Sequence, residues 1–250
     1  MNQWGKKNVI EFYTNNRNKL LDLYKSEKIP LKKINRHNIK NILDYGCAAG
    51  GFYEIFKSFF KKNCFYHGLD TEGKIIQAAL IQHKKNKNTR FTKIKKGKLN
   101  LGSNKYSLTF STGVLNHNSD YKLIIEELIR ISNRYIFIDS PRVYLKKPFI
   151  GKLNLSKRFP SDIKNNNVVN NYTINFEAYL NFLKQVFKKY NIKYGFFYAD
   201  YLPYDKKYLK INEKISFLTF LADKKNKKRS FQIKTKNNKL LKIFNKVFNS

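Results

Sequence analysis

Asn41-Ile42-Leu43-Asp44-Tyr45-Gly46-Cys47-Ala48-Ala49-Gly50-Gly51-Phe52 reads as a buried strand, a turn of small residues and the start of a helix. Tyr66-His67-Gly68-Leu69-Asp70 follows as a second strand that also ends in a carboxylate. Small residues let a ligand approach the turn's backbone closely. The N–H groups that open the next helix attract the polar end of a cofactor. An acid about twenty residues beyond such a turn is placed to accept both ribose hydroxyls. The unit therefore predicts a nucleotide-like cofactor at the carboxyl ends of two neighbouring strands.

Details of the turn narrow the cofactor. A dinucleotide fingerprint is G-x-G-x-x-G, and its central glycine admits a pyrophosphate. Here Gly46, Ala48 and Gly50 stand in a D-x-G-x-G-x-G frame with alanine in the middle, and Asp44 lies two residues before the first glycine. A carboxylate there repels a pyrophosphate and suits an ammonium or sulfonium group. The stretch resembles motif I of the class I S-adenosylmethionine-dependent methyltransferases, and Asp70 resembles the acid that ends their second strand. The resemblance implies S-adenosylmethionine as cofactor. Asp44, Gly46, Ala48 and Gly50 would frame its methionine end and Asp70 its ribose. Cys47, Thr71, Ser111, Thr112 and Gly113 complete the implied contacts; Cys47 also reads simply as a small buried residue.

Working outward, Phe52, Ile55, Phe56, Phe59 and Phe60 recur at helical spacing. Strands are expected at Cys64–Leu69, Arg90–Ile94, Ser107–Ser111 and Tyr135–Ile138, with helices at Glu72–Gln82 and Tyr121–Ile131. A late helix carries Phe176, Tyr179, Leu180, Leu183, Val186, Phe187 and Tyr190, and strands near Tyr194–Tyr201 and Ile215–Leu221 follow it. This alternation predicts a doubly wound α/β sheet. The resemblance makes it a Rossmann-like three-layer sandwich: a mostly parallel seven-stranded sheet with an antiparallel last strand. Residues 1–40 read as an N-terminal helical cap, with one helix from about Val9 to Tyr24. Residues 41–222 form the main domain, and 223–250 a basic C-terminal tail.

Tyr106-Ser107-Leu108-Thr109-Phe110-Ser111-Thr112-Gly113-Val114-Leu115-Asn116-His117 resembles the fourth strand and following turn of the small-molecule branch, which includes ubiquinone-type and sugar O-methyltransferases. Ligands in such sheets lie beyond the strands' carboxyl ends, so Ser111–His117 and Asp139–Arg142 should converge there. His117 is either a general base, since imidazole accepts protons near neutrality, or a structural cap of the turn. Asp120 suits the N-cap of the next helix. Asp139 either touches the acceptor or ends a strand. The run Lys95-Lys96-Gly97-Lys98 lacks the acid that many relatives use for adenine, which leaves backbone groups to hold that base. No N/D-P-P-Y clamp follows the fourth strand, and no cysteine follows a proline as in cytosine C5 enzymes. Ala48-Ala49-Gly50-Gly51-Phe52 is close to the first turn of ribose 2′-O enzymes, but their fourth-strand acid is missing.

The segment Val143–Asn175, carrying Tyr144, Phe149, Arg158, Phe159 and Tyr172, reads as an acceptor-side lid or as a surface loop. Trp4, Tyr13 and Arg17 are candidate contacts where the N-terminal helix closes over the cofactor. The formal net charge of +34 over 250 residues points to anionic partners, or to genome composition, since Lys, Asn, Ile, Phe and Tyr share A/T-rich codons. Two cysteines supply neither a disulfide framework nor a metal site, and a reducing cytoplasm fits them. The tail's Leu240, Leu241, Ile243, Phe244, Val247 and Phe248, flanked by lysines, form an amphipathic stripe that could dock on the domain or lie on an anionic membrane. The expected function is O-methylation of a small molecule or of a cell-surface glycan or sugar precursor. The alternatives are an RNA methyltransferase and a non-catalytic basic binding protein on the same fold.

Overall fold

The computed structural model describes residues 3–60, 64–154, 168–201 and 215–249. The N-terminal region contains two α-helices rather than one, α1 (Lys7–Asn15) and α2 (Lys25–Leu31). Arg17, between them, adopts φ 63°, a left-handed conformation that a continuing helix cannot contain. The Asp22 carboxylate fixes the break by accepting the N–H groups of Asn18 and Lys19 at 3.0 and 2.9 Å.

Strand β1 (Asn41–Tyr45) is buried on both faces, and its alternation sets the layers. Ile42 joins Phe56, Tyr66 and Phe110 on one face, whereas Leu43 and Tyr45 join Ile125, Leu128 and Leu180 on the other. Helix α3 (Gly51–Phe60) covers the first face with Ile55, Phe56, Phe59 and Phe60. Then come β2 (Phe65–Asp70), α4 (Gly73–Gln82), β3 (Thr89–Lys93), β4 (Tyr106–Ser111), α5 (Tyr121–Ile131) and β5 (Ser132–Asp139). Asp120 occupies the N-cap of α5 but makes no capping bond through its side chain. Its ψ of 24° departs from the extended backbone that aims a cap at the helix.

The chain continues through β6 (Arg142–Tyr144), β7 (Phe149–Asn154), β8 (Val168–Asn175), α6 (Phe176–Lys189), β9 (Tyr194–Tyr201), β10 (Ser216–Asp223), β11 (Ser230–Thr235) and α7 (Asn238–Phe248). The main sheet runs β3-β2-β1-β4-β5-β10-β9, and β10 is antiparallel to both neighbours. These are the seven expected strands. Four more extend the sheet among the described residues. β11 adds parallel to β9, and β6, β8 and β7 branch from β10 where Ser216 pairs with Val143. Strand order reverses between β1 and β4, the switch point where ligands bind in open α/β sheets.

The insertion Val143–Asn175 thus contributes sheet structure, although Arg158 and Phe159 lie outside the described residues. Residues 224–249 contain β11 and α7, which pack on the domain. Leu240, Phe244, Val247 and Phe248 are buried, with the Phe248 ring 4.8 Å from Phe231 and 5.3 Å from Phe197. The apolar stripe that membrane contact would need is spent on the domain's own core. Among the described residues no helix is long and apolar enough to cross a membrane.

Candidate active site

The turn between β1 and α3 is tied down to the end of β2. Gly46 and Cys47 donate their N–H groups to the Leu69 carbonyl at 2.7 and 3.0 Å, and Ala48 donates to Asp70 Oδ2 at 3.1 Å. Gly46, Ala48 and Gly50 all have positive φ (79°, 48° and 80°). A Cβ on Gly46 would come within 2.1 Å of Val114 Cγ2, so only glycine fits there. Cys47 lies over Gly68, where an added Cβ would stand 2.7 Å from its sulfur. Burial pushes the Cys47 thiol's pKa well up, which makes it an inert packing group.

Asp70 accepts one backbone N–H on each oxygen, from Ala48 and from Glu72 at 3.0 Å. Each carboxylate oxygen can accept further. Burial raises its pKa, and the backbone donors oppose the rise. Asp44 is fully buried and accepts a hydrogen bond from the Tyr66 hydroxyl. Burial pushes its carboxyl up to about 7, against the lowering effect of Tyr66. Tyr66 is not evident from the motif, because its reach depends on the register between β1 and β2.

Across the switch point, the Ser111 hydroxyl donates to the Tyr45 carbonyl at 3.0 Å, and Thr112 bonds Glu27 of α2. Gly113, at φ 68°, donates its N–H to Asp139 Oδ2 at 3.3 Å. Asp139 Oδ2 lies 3.8 Å from Arg142 Nη1. Asp139 Oδ1 is buried and meets no hydrogen-bonding partner among the described residues. Burial raises the Asp139 carboxyl to about 6, with Arg142 opposing.

The N-terminal segment roofs this region. The Trp4 ring lies 5.1 Å from that of His117. The Arg17 carbonyl would be 2.5 Å from a Cβ on Gly51. The Arg17 guanidinium pairs with Glu27 and lies over the rings of Tyr24 and Phe52 at 4.4 and 5.3 Å. Tyr13 packs edge-on to Phe12 near Val9. His117 is held on both sides: Nδ1 is 2.8 Å from the Asn170 carbonyl and Nε2 is 2.9 Å from the Asn116 amide nitrogen. A carbonyl only accepts, so Nδ1 carries the proton and Nε2 accepts from Asn116. Asn116, Asn171 and Thr173 are buried beside it. Asn171 and Thr173 show in the sequence only as polar residues on alternate positions of a strand, and Asn116 only as the residue before His117.

Lys95–Lys98 leads to Leu99, whose N–H donates to Glu127 Oε2 at 2.9 Å, and Glu127 is also engaged by Arg130. Among the described residues no group of three His, Cys, Asp or Glu side chains could hold a metal ion.

Residues 36–244 match the family model described as a methyltransferase domain. The chain belongs to the methyltransferase-domain family. It is a class I S-adenosylmethionine-dependent methyltransferase, and S-adenosylmethionine is its methyl donor. Solved structures repeat the fold at low identity. A chain of the complex between the Haloferax volcanii Trm112 methyltransferase activator and its methyltransferase superposes with TM-score 0.54 at 13% identity, covering 88% of this chain and 95% of that one. The YcgJ protein of Bacillus subtilis gives 0.51 at 12%, covering 81% and 97%. The N-terminal domain of EvdMO1, with SAH bound, gives 0.50 at 11%, covering 75% of each. No curated protein matches the sequence significantly. The methyltransferase also has a basic cleft of about 350 Å³ lined by His37, Lys40, Arg134 and Lys225. It lies at the amino ends of β1, β4 and β5, away from the turn and from Asp70.

Proposed function

We propose that this methyltransferase methylates a hydroxyl of a small molecule or of a cell-surface glycan or sugar precursor, with Asp139 as the base. When bound, S-adenosylmethionine supplies a methyl group on a sulfonium centre; transfer to a hydroxyl leaves a neutral thioether and one proton to remove. The observation that carries the reading is the Asp139 carboxylate at the end of β5, one oxygen held by Gly113 and the other without a hydrogen-bonding partner among the described residues. Burial raises this carboxyl toward the range where a base works near neutral pH.

The turn fits the cofactor. The turn carries no long side chain from Gly46 to Gly51, and the fixed Asp70 carboxylate can accept ribose hydroxyls. Asp44, Gly46, Cys47, Ala48, Gly50, Asp70, Thr71, Ser111, Thr112 and Gly113 are assigned to this pocket. Cys47 and Ser111 serve it through packing and backbone, since their side chains are directed into the fold. His117 becomes a positioning residue, because both ring nitrogens are already engaged.

A small acceptor rather than RNA is supported by charge. Around the roofed cleft the arginines are paired, Arg17 with Glu27 and Arg142 with Asp139, and the basic cleft lies at the opposite end of the strands. The test is transfer of labelled methyl from S-adenosylmethionine into fractionated host lysate, with Asp70→Ala as blank. Label in the sugar, glycan or solvent-extractable fraction supports the reading; label in RNA refutes it.

A further inference from the structure

Three oxygens around the end of β5 share one feature: burial without a hydrogen-bonding partner among the described residues. Asn116 is 3% exposed, Thr173 2% and Asp139 8%. Asn116 Oδ1, Thr173 Oγ1 and Asp139 Oδ1 each lack a partner among the described residues. Buried oxygens of this kind are normally satisfied, and a cluster of them within one ring marks a place built for something else to bind.

The ring closes through contacts of four kinds. Gly113 N–H donates to Asp139 Oδ2, and Asp139 lies 3.8 Å from Arg142. Arg142 pairs with Thr173 between β6 and β8, so their side chains leave the same face of the sheet. Asn171, two residues along β8, shares that face and accepts from Asn116 Nδ2 at 3.1 Å. Three residues of chain return from Asn116 to Gly113. The orientation of the Asn116 amide is fixed: its NH₂ group donates to Asn171 Oδ1 and to His117 Nε2, which turns Oδ1 away from both.

The chemistry of the ring selects its ligand. An amide oxygen and an ionised carboxylate oxygen accept only, and the Thr173 hydroxyl both donates and accepts. A ligand must therefore bring at least two donors. Charge excludes ions of either sign as the natural match, because Arg142 already faces Asp139 and Arg17 already faces Glu27. An ammonium or a phosphate would enter beside both members of an opposed pair, attracted by one charge and repelled by the other, at a large desolvation cost. Neutral hydroxyls meet every requirement.

Resting on the methyltransferase reading above, we propose that Asn116, Asp139 and Thr173 form the acceptor subsite and that it takes a neutral polyol. One hydroxyl donates to Asp139 Oδ1, which removes its proton. A second lies between Asn116 Oδ1 and Thr173 Oγ1. Asn171 and His117 are positioning residues that hold the Asn116 amide in its receiving orientation.

The experiment uses the full chain with S-adenosylhomocysteine and reads probe contact by saturation-transfer NMR. The probes are methyl α-glucopyranoside and myo-inositol as neutral polyols, ethanolamine as a cation and phenyl phosphate as an anion. Calorimetry with S-adenosylhomocysteine comes first. Failure there refutes the cofactor reading, whereas cofactor binding without polyol contact refutes this inference alone. The expected result is contact by a polyol and none by the ions. Thr173→Val should weaken polyol binding at least tenfold with the affinity for S-adenosylhomocysteine unchanged. If the Thr173 hydroxyl were only a packing element, Val would bind polyols as the wild type does and raise Tm; that result overturns the subsite. Binding of the ions alone, or of no probe at all, by the wild-type protein overturns it without any variant.

Discussion

Asp44→Asn offers a direct test of how the turn is supported. Asp44 is buried against the Tyr66 hydroxyl, and burial lifts its carboxyl from 3.8 to about 7. A carboxyl whose pKa is higher in the folded than in the unfolded chain takes up a proton on folding. Asp44's contribution to stability is therefore greatest at low pH and falls as pH rises from about 4 through about 7. The rise spans about three pH units at about 1.4 kcal/mol each, so the ionised form destabilises the fold by about 4 kcal/mol at pH 8. Asparagine keeps the shape and an oxygen for Tyr66 to donate to, but it cannot ionise. We expect Asp44→Asn to be more stable than wild type by about 2–4 kcal/mol at pH 8 and by under about 1 kcal/mol at pH 4. Urea denaturation at the two pH values reads this difference, with Tyr66→Phe as a control that removes the donor and should lower stability at both. If Asp44 also faces the cofactor's positive end, the same variant should bind S-adenosylhomocysteine more weakly while being more stable. Equal stability of variant and wild type at pH 8, or an advantage that does not change with pH, would refute the reasoning.

Three further outcomes are expected. Gly46→Ala combines a left-handed backbone with a Cβ 2.1 Å from Val114; it should cost about 2–5 kcal/mol in urea denaturation, and a loss below about 1 kcal/mol would mean the turn can relax. Phe248→Ala removes a ring packed on Phe231, Phe244 and Phe197, and should destabilise by about 3–5 kcal/mol; a near-neutral result by thermal unfolding would return the C-terminal helix to the status of a free tail. Arg17→Met leaves the buried Glu27 carboxylate without its cation, so cleavage within residues 7–31 by limited proteolysis should speed at least tenfold, and unchanged cleavage would show that the roof is held elsewhere.

The supporting role of Asp44 also marks where sequence reading stops. The strand at residues 41–45, the small-residue turn, the stripe of α3 and the acid at position 70 are local patterns. Period-2 and period-3.6 spacing and the demand for positive φ act over a few residues, so a linear reading recovers them. The family followed from the same stretch. That Asp44 answers to Tyr66, and that Asp70 locks the turn through the Ala48 N–H, depends on the parallel register of β1 and β2.

Other features were equally beyond a linear reading. The stripe Leu240, Phe244, Val247 and Phe248 was visible as amphipathic, but periodicity does not say what an apolar face will cover. The sheet edge at β9 and β11 supplied that partner. The break at Arg17 followed from the Asp22 carboxylate competing for backbone donors, which propensity alone does not register. The ring of Asn116, Asp139 and Thr173 is assembled from three segments spread over some sixty residues. The sequence by itself determined the seven main strands, the small-residue turn after the first of them and the methyltransferase family, because those are written in short-range spacing. Only the tertiary structure decided which polar groups are buried without partners, since that depends on the packing of β8 across the turn after β4.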